Sequence, residues 1–258
     1  MLQGLHRARR GRYRPHRGDH PEILRGHIDL YPEYTGVMVS TLANITPAAP
    51  GAAATGSAPP ESWQQAYEQA AQFEDRRGFT LLQPTPFQDG ERLAVLPEFA
   101  RAHGLQSMTD LTKLPSFTNG GPSENQTRYK GIVGMRQAYG LTNAVFVPFT
   151  IGDQYPALLD HRVDTIAIFT TDGQLAANKY VLLSDPKNIF GYQNAAPVVN
   201  KGVLQREGPE FAQTLNAVCS HLTTEVMQRL NGEVVLGHRT PADVAHEFLA
   251  AELSVAAQ

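Results

Sequence analysis

The sequence predicts an α/β protein, and three observations support this fold class. Short apolar segments rich in β-branched residues alternate with segments of helical periodicity from about residue 79 onward. Hydrophobic residues make up 41% of the 258-residue chain and charged residues 18%, which is enough apolar material for a sizeable core. No internal repeat is present. Because alternation of this kind is typical of sheets covered by helices, we expect mainly parallel strands.

The first predicted element is a short strand within residues 28–36, which ends in a turn at Gly36. Residues 46–60 consist largely of alanine, proline and glycine, and this composition predicts a loop that contributes nothing to a core.

A helix is expected after this loop. Ser62 is suited to cap its start, and Gly78 is suited to end it. The carboxylates of Glu74 and Asp75 are expected on its solvent-facing side. The residues that share one face at helical spacing are Trp63, Ala66, Tyr67, Ala70 and Phe73.

The rest of the chain alternates between the two element types. Further strands are predicted at residues 79–82, 91–96, 143–149, 163–169, 180–183 and 196–199. Further helices are predicted at residues 97–103, 107–114, 131–139, 154–161, 172–178, 209–221, 224–231 and 240–253. Ser107 and Asp110 have the spacing of a capping box.

The charge distribution is uneven along the chain, although the net charge is only −3. Seven arginines lie within residues 1–28, against Asp19 and Glu22. A basic arm of this kind can bind nucleic acid or an anionic membrane. The arm lacks interleaved apolar periodicity, so we expect residues 1–21 to be a disordered or non-native leader and expect no nucleic-acid partner.

The motifs of most enzyme and cofactor classes are missing from the sequence. It contains no glycine-rich phosphate loop, no nucleotide fingerprint and no nucleophile elbow, and its histidines do not have metal-ligand spacing. Cys219 is interpreted as a small buried hydrophobic residue. No apolar stretch has the length of a membrane span, and no export signal is recognised. We therefore expect a protein that is not an enzyme and binds neither cofactor nor metal.

Four aromatic residues lie where a predicted strand or helix meets a turn: Tyr34, Tyr155, Phe169 and Tyr192. Aromatic rings that surround a desolvated cation contribute about 0.5–2 kcal/mol each. A quaternary ammonium has no N–H donors, so ring faces are one of the few ways to bind it selectively. The alternative for each ring is an ordinary place in the core.

Two polar segments could complete such a site. Asp172 follows a predicted apolar strand and precedes a predicted helix, a position at which α/β sheets often bind ligands; the alternative is that it caps that helix. Arg128 lies in the polar loop at residues 120–128, where its guanidinium could hold a ligand carboxylate through two hydrogen bonds, or could be an ordinary surface arginine.

Five segments, taken together and in order, resemble one protein family. They are Leu-Arg-Gly-His-Ile-Asp-Leu-Tyr-Pro-Glu-Tyr-Thr-Gly at 24–36, Tyr-Pro-Ala-Leu-Leu-Asp-His-Arg-Val-Asp at 155–164, Phe-Thr-Thr-Asp-Gly-Gln-Leu at 169–175, Asn-Ala-Ala-Pro-Val-Val at 194–199 and Thr-Pro-Ala-Asp-Val-Ala-His-Glu-Phe-Leu at 240–249. The family is that of the glycine betaine/choline/carnitine (osmoprotectant) substrate-binding proteins of ABC importers. The resemblance covers residues 22 to 253.

The resemblance implies a two-lobed, periplasmic-binding-protein-like (type II) fold with a hinge of two strands, near residues 92–96 and 196–199. Lobe 1 would comprise residues 22–96 and 196–258, and lobe 2 would comprise residues 97–195. It further implies a monomer outside the cytoplasm that captures a quaternary ammonium osmoprotectant in an interlobe cleft. Cation–π contacts and an arginine–carboxylate contact would hold the ligand, and ABC permease subunits would be the partner.

Several residues match the family's site. Tyr34 matches an aromatic wall, Arg128 matches the arginine that holds the ligand carboxylate, and Phe169 stands where many relatives have tyrosine. Tyr192 and Gln193 stand close to another wall position. The full predicted ligand-binding set is Tyr34, Thr35, Asp89, Arg128, Tyr155, Phe169, Thr171, Asp172, Tyr192 and Gln193.

The sequence also departs from the family pattern. Val37 replaces a common threonine, and Glu91 stands where an aromatic residue is expected. The missing ring favours a different or bulkier cationic osmolyte, or weak affinity. Residues 5–17 replace the strand, loop and helix with which members of the family open. We interpret this difference as a truncated or altered gene product or a wrongly assigned start.

Two alternatives remain open at this point. The first is a degenerate or cytosolic ligand-sensing remnant of the same fold, without a transport role. The second is an enzyme on a two-lobed scaffold, with Asp172 and Arg128 as catalytic groups.

Overall fold

A computed structural model of the protein describes residues 23–42, 60–177 and 179–255. The predicted leader at residues 1–21 lies outside the described residues, as does all of the predicted loop at 46–60 except its last residue. The chain divides into two compact units. Unit 1 contains the described residues up to Asp89 together with Tyr192–Thr223, and unit 2 contains Gly90–Gly191 together with the described residues from Thr224 onward.

Strands and helices alternate along both units. The strands are β1 Leu30–Tyr34, β2 Phe79–Leu81, β3 Glu91–Val95, β4 Phe117–Gly121, β5 Ala144–Pro148, β6 Thr165–Phe169, β7 Val181–Leu183 and β8 Ala195–Asn200. The longer helices are α1 Trp63–Asp75, α2 Pro97–His103, α3 Gly134–Tyr139, α4 Gln154–Leu159, α5 Lys201–Glu207, α6 Pro209–Ser220, α7 Thr224–Val235 and α8 Pro241–Val255. Among the described residues, no helix is both long and apolar enough to cross a membrane.

Unit 1 is built on a three-stranded antiparallel sheet in the order β1-β8-β2. The ends of β1 and β8 are aligned, since Tyr34 lies opposite Ala195 and Leu30 lies opposite Val199. Apolar side chains from this sheet pack against α1 and the segment Met38–Leu42 to form the core of the unit.

Helix α1 begins and ends as the sequence predicts. The Ser62 hydroxyl accepts a hydrogen bond from the Gln65 amide, and Gly78 has the positive φ of +91° that glycine tolerates best. The predicted solvent-facing position of Glu74 is wrong, because this side chain is 0% exposed. Trp63, predicted on the same face as the buried alanines, is 40% exposed.

Unit 2 is built on a five-stranded mixed sheet in the order β5-β4-β6-β3-β7. Only the β5–β4 and β4–β6 pairs are parallel, whereas β3 pairs antiparallel with both β6 and β7. The prediction of mainly parallel sheets is therefore wrong. Alternation of helices and strands along the sequence does not specify which strands become neighbours, and β3 enters this sheet between strands that follow it much later in the chain.

Two elements escaped the sequence analysis. Strand β4 has the polar sequence Phe-Thr-Asn-Gly-Gly, yet it is buried between β5 and β6 and contributes the fully enclosed Asn119 to the interior. Helix α5 is a second omission. The predicted helix at 172–178 is a single 3-10 turn, Gly173–Ala177, and the predicted helix at 107–114 is a 3-10 helix that does carry the Ser107–Asp110 capping box.

The two units differ from the predicted lobes in their boundaries. The chain passes between units after Asp89, after Gly191 and after Thr223, whereas the expected boundaries lie at 96 and 195. Each strand predicted to form the hinge lies in a single sheet, β3 in that of unit 2 and β8 in that of unit 1. Helices α7 and α8, expected in lobe 1, belong to unit 2 because α7 packs on the 3-10 turn Gly173–Ala177.

Candidate functional site

Five of the predicted ligand-binding residues come together in unit 1, where β1 ends and β8 begins. The Tyr34 hydroxyl donates a 2.9 Å hydrogen bond to the Asp89 carboxylate, so both ring and carboxylate have fixed positions. The Asp89 amide donates to the Gln193 carbonyl, and the Thr35 amide donates to the Asn194 carbonyl, each at 2.9 Å. Backbone pairing across two distant chain segments thus brings these side chains together.

The segment Tyr192–Gln193 forms the other side of this group. The Thr35 hydroxyl donates to the Tyr192 carbonyl at 3.5 Å, and the Tyr192 hydroxyl donates to the Glu61 carbonyl at 2.6 Å, which holds its half-buried ring. Gln193 is buried, and its Oε1 has no hydrogen-bond partner in the described part of the chain. Buried polar atoms are nearly always paired, so an unpaired acceptor is unusual at this position.

Gly36 permits the close approach of these two segments. A Cβ atom at this position would lie 2.3 Å from the Tyr192 carbonyl oxygen and 2.8 Å from Gln193 Oε1. A tyrosine ring, a neighbouring carboxylate and a second tyrosine therefore occupy one compact region of unit 1. We name this region the unit 1 aromatic group and define it as Tyr34, Thr35, Asp89, Tyr192 and Gln193. Its chemistry suits a cation that has no N–H donors.

Four other predicted residues lie at the carboxyl end of β6 in unit 2. The Asp172 carboxylate accepts hydrogen bonds from the Phe169 amide at 2.9 Å and from the Tyr155 hydroxyl at 2.7 Å. Asp172 therefore turns back onto the end of the strand. Tyr155 is a core residue, with 3% of its surface exposed and its ring edge-on to Tyr180 at 5.4 Å.

Burial, followed by the Asp172 charge, raises the pKa of Tyr155 well above its ordinary value. Its hydroxyl therefore remains a hydrogen-bond donor to Asp172 across the physiological range. Tyr155 orients Asp172, and the ring of Phe169 at the strand end is half-buried.

Helix α7 holds the loop after Phe169 in place. Gln228 donates from Nε2 to the Thr170 carbonyl, and Asn231 donates from Nδ2 to the carbonyl of the buried Thr171, each at 2.8 Å. A cavity of about 280 Å³ lies beside this loop. Its lining includes Tyr155, Asp172 and Asn231 together with the exposed Ile151.

Arg128 lies apart from this β6 loop in sequence, between the 3-10 turn Ser123–Gln126 and the π-helical turn Tyr129–Val133. Its side chain is exposed. Burial lowers the pKa of Lys130, the charge of Glu91 opposes that shift, and the charge of Arg128 adds to it. Glu91 pairs with Phe169 across the β3–β6 ladder.

Lys130 is a candidate that the sequence analysis missed. Its ammonium group lies within electrostatic reach of both Arg128 and Glu91, so two cations and one carboxylate share this part of unit 2. The signal available in the sequence was a second basic residue two positions after Arg128. No cluster of three or more histidine, cysteine, aspartate or glutamate side chains suited to a metal occurs among the residues that the structure describes.

Comparison with known proteins gives a consistent result. Residues 18–251 match the family model described as the substrate binding domain of ABC-type glycine betaine transport systems. The chain is 32% identical over 236 residues to a glycine-betaine-binding protein of Pseudomonas aeruginosa, covering 87% of this chain and 72% of that protein. It is 28% identical over 242 residues to the glycine betaine-binding protein YehZ of Escherichia coli, covering 88% of this chain and 75% of that protein.

A solved structure agrees with the sequence matches. The crystal structure of a glycine betaine/carnitine/choline ABC transporter protein superimposes with a TM-score of 0.78 at 26% identity, covering 90% of this chain and 82% of that one. The predicted fold class, α/β with the two-lobed type II binding-protein fold, is thereby confirmed.

Proposed function

Because the chain belongs to the family of substrate-binding domains of ABC-type glycine betaine transport systems, we propose that it captures a quaternary ammonium osmoprotectant through cation–π and arginine–carboxylate contacts. The family consists of extracytoplasmic binding proteins, not enzymes, that work with ABC transporter components. The proposal extends this role to the present chain, with an ABC permease as its partner outside the cytoplasm.

The unit 1 aromatic group is the observation that carries the proposal. Tyr34 offers a half-buried ring at the end of β1, and the Asp89 carboxylate at 2.9 Å from its hydroxyl adds negative potential beside that ring. A quaternary ammonium gains from both features, since it is attracted to ring faces and to a carboxylate without needing a hydrogen-bond acceptor. Phe169 offers a second ring in unit 2, where Asp172 fixes its amide.

The ligand carboxylate is assigned to Arg128. A guanidinium forms two parallel hydrogen bonds to a carboxylate, and the nearby Lys130 adds positive potential. Osmolytes such as glycine betaine and carnitine carry both a quaternary ammonium and a carboxylate, whereas choline carries a hydroxyl in place of the carboxylate. The two ends of the ligand can therefore be tested separately.

Replacing Tyr34 by alanine should weaken the binding of glycine betaine, choline and carnitine alike by about 2- to 30-fold, the worth of one ring at about 0.5–2 kcal/mol. Titration calorimetry on the folded protein measures this change. Tyr34→Phe is the matched control, because it keeps the ring and loses only the hydrogen bond to Asp89. Unchanged affinity in Tyr34→Ala would remove Tyr34 from the site, and no heat with any of the three osmolytes would contradict the proposed function itself.

Replacing Arg128 by glutamine should separate the ligands by their anionic end. We expect glycine betaine and carnitine to bind about tenfold or more weakly, because a charged hydrogen bond contributes about 1.5–3 kcal/mol, while choline affinity changes little. Arg101→Gln, at an exposed arginine of α2 in the same unit, controls for the loss of one positive charge. An equal loss for all three ligands would show that Arg128 does not read the carboxylate.

A further inference from the structure

Glu74 occupies a position that a carboxylate rarely takes. Its side chain continues the buried stripe of α1 that begins with Ala66 and Ala70, and all three residues are 0% exposed. Neither carboxylate oxygen has a hydrogen-bond partner in the described part of the chain. The proposed ligand contacts do not use this group, so its burial requires a separate explanation.

Few charged or titratable groups of the described part of the chain surround Glu74. Arg77 lies just beyond the end of α1, and its guanidinium lies over the Phe73 ring at 4.6 Å from the centroid. On β1, the buried Glu33, which is 6% exposed, is the like charge that raises the pKa of Glu74. Two tyrosines, Tyr31 on β1 and Tyr67 on α1, also belong to this core, and the Tyr67 hydroxyl donates to the Leu81 carbonyl at 3.1 Å. The other described elements packed against α1, which are β2 and the segments Thr35–Val37 and Met38–Leu42, carry no charged side chain.

Burial without a partner strongly disfavours the ionised carboxylate, which takes up a proton instead. Burial raises the pKa of Glu74 from 4.5 to about 7, against the opposing charge of Arg77 and with a smaller contribution from Glu33. The folded chain therefore holds a proton on Glu74 at pH values at which the unfolded chain has released it.

A single hydrogen bond connects Glu33 to the proposed ligand site. Glu33 Oε1 accepts a 2.8 Å hydrogen bond from the Tyr34 amide, at the point where β1 ends. An ionised Glu74 is repelled by the charge of Glu33, and Glu33 contacts the strand end that carries Tyr34.

We propose that Glu74 is a proton-binding site in the core of unit 1, and that loss of its proton loosens the end of β1 that presents Tyr34. The second half of this statement rests on the proposed function, and the first half does not. Because the pKa of Glu74 is higher in the folded chain than in the unfolded chain, proton binding by Glu74 stabilises the fold. Stability from Glu74 is fully present below about pH 4.5, the ordinary value of the unfolded chain, and is lost as the pH rises through about 7.

Urea unfolding at a series of pH values from about 5 to about 8.5 tests the first half. For the unchanged protein, we expect the unfolding equilibrium constant to rise by up to about a hundredfold over this range. Glu74→Gln should remove most of that rise and be more stable than the unchanged protein at the alkaline end. Glu68→Gln, at an exposed position of the same helix, should keep the rise. Parallel pH profiles for the unchanged protein and Glu74→Gln would overturn the proton site.

A second variant keeps the test decisive if Glu74→Gln does not fold. Glu33→Gln removes the like charge and retains an oxygen that can accept from the Tyr34 amide. Because the Glu33 charge raises the pKa of Glu74, the midpoint of the pH-dependent loss of stability should move to lower pH in this variant. An unmoved midpoint would contradict the coupling of the two carboxylates.

Calorimetric affinity for glycine betaine at about pH 6 and about pH 8.5 tests the second half. Affinity of the unchanged protein should fall at the higher pH by about threefold or more, and Glu74→Gln should largely abolish that fall. Equal falls in both proteins would overturn the link to Tyr34. Absence of binding at either pH in both proteins would contradict the proposed function, whereas the unfolding profiles would still decide the proton site.

Discussion

Replacing Gly36 by alanine should weaken osmolyte binding by about a hundredfold or more in a chain whose unit 2 remains folded. The added Cβ would lie 2.3 Å from the Tyr192 carbonyl oxygen and 2.8 Å from Gln193 Oε1, and atoms do not approach a Cβ this closely. The glutamine side chain can move, but the carbonyl belongs to the backbone just before β8. Relief of the clash therefore requires the Tyr192 backbone to shift away from Thr35.

This shift would act directly on the proposed site. The Tyr192 carbonyl accepts from the Thr35 hydroxyl, and the Gln193 carbonyl accepts from the Asp89 amide, so movement of this segment separates Tyr192 and Gln193 from Thr35 and Asp89. Forced overpacking of this kind costs about 1–3 kcal/mol, and a backbone obstacle places Gly36 at or above the upper end. Loss of affinity should therefore exceed that of Tyr34→Ala.

Calorimetry with glycine betaine and thermal unfolding together measure the effect. Gly202→Ala is the matched control, because its Cβ would approach only the Asn200 side chain, at 3.2 Å, in the same unit. This control should bind osmolyte as the unchanged protein does. If Gly36→Ala also binds normally and unfolds at the same temperature, the close approach of the two segments is not required.

The sequence identified Gly36 as the end of a strand but could not show why glycine is needed there. The obstacle is the carbonyl of Tyr192, more than 150 residues away in sequence, and only the pairing of β1 with β8 brings the two together. The same holds for the bond between Tyr34 and Asp89, which no local pattern encodes. Features set by local chemistry, such as the Ser62 cap of α1 and the Ser107–Asp110 capping box, were predictable.

Strand β4 and the burial of Glu74 were not predicted from the sequence, and each has a physical cause. Strand β4 ends in two glycines because side chains of the neighbouring strand β6 pack directly against them: a Cβ at Gly121 would lie 3.0 Å from the Ala167 side chain. Glu74 lies four and eight residues after Ala70 and Ala66, so helical spacing did place it on the buried stripe. A general preference of carboxylates for solvent outweighed that spacing in the sequence analysis.

Replacing Gly173 by alanine should detach α7 from unit 2 and destabilise that unit. The added Cβ would lie 2.5 Å from both the amide nitrogen and the Cα of Gly232, and 2.8 Å from the Asn231 carbonyl carbon. All three atoms belong to the backbone of a regular helix, so the helix must move as a whole. Movement would break the hydrogen bonds from Gln228 and Asn231 that hold the loop after Phe169.

The opposite substitution provides a control within the same contact. A Cβ on Gly232 would lie 3.5 Å from the Gly173 carbonyl oxygen, which is ordinary van der Waals contact. Alanine also favours a helix over glycine by up to about 1 kcal/mol, so Gly232→Ala should be neutral or stabilising. Gly173→Ala should lose about 3 kcal/mol or more of stability, since every obstructing atom belongs to helical backbone.

Hydrogen exchange resolves the two variants by element. In Gly173→Ala, amides of α7 and of the turn Gly173–Ala177 should exchange faster than those of β4 and β6, whereas in Gly232→Ala they should remain protected. Equal protection in the two variants would contradict the prediction that only a side chain at Gly173, and not one at Gly232, obstructs the contact. Because Asp172 precedes Gly173 and fixes the amide of Phe169, a detached α7 should also weaken osmolyte binding. The glycine of this Thr-Asp-Gly motif would then support the site by admitting a helix rather than by touching the ligand.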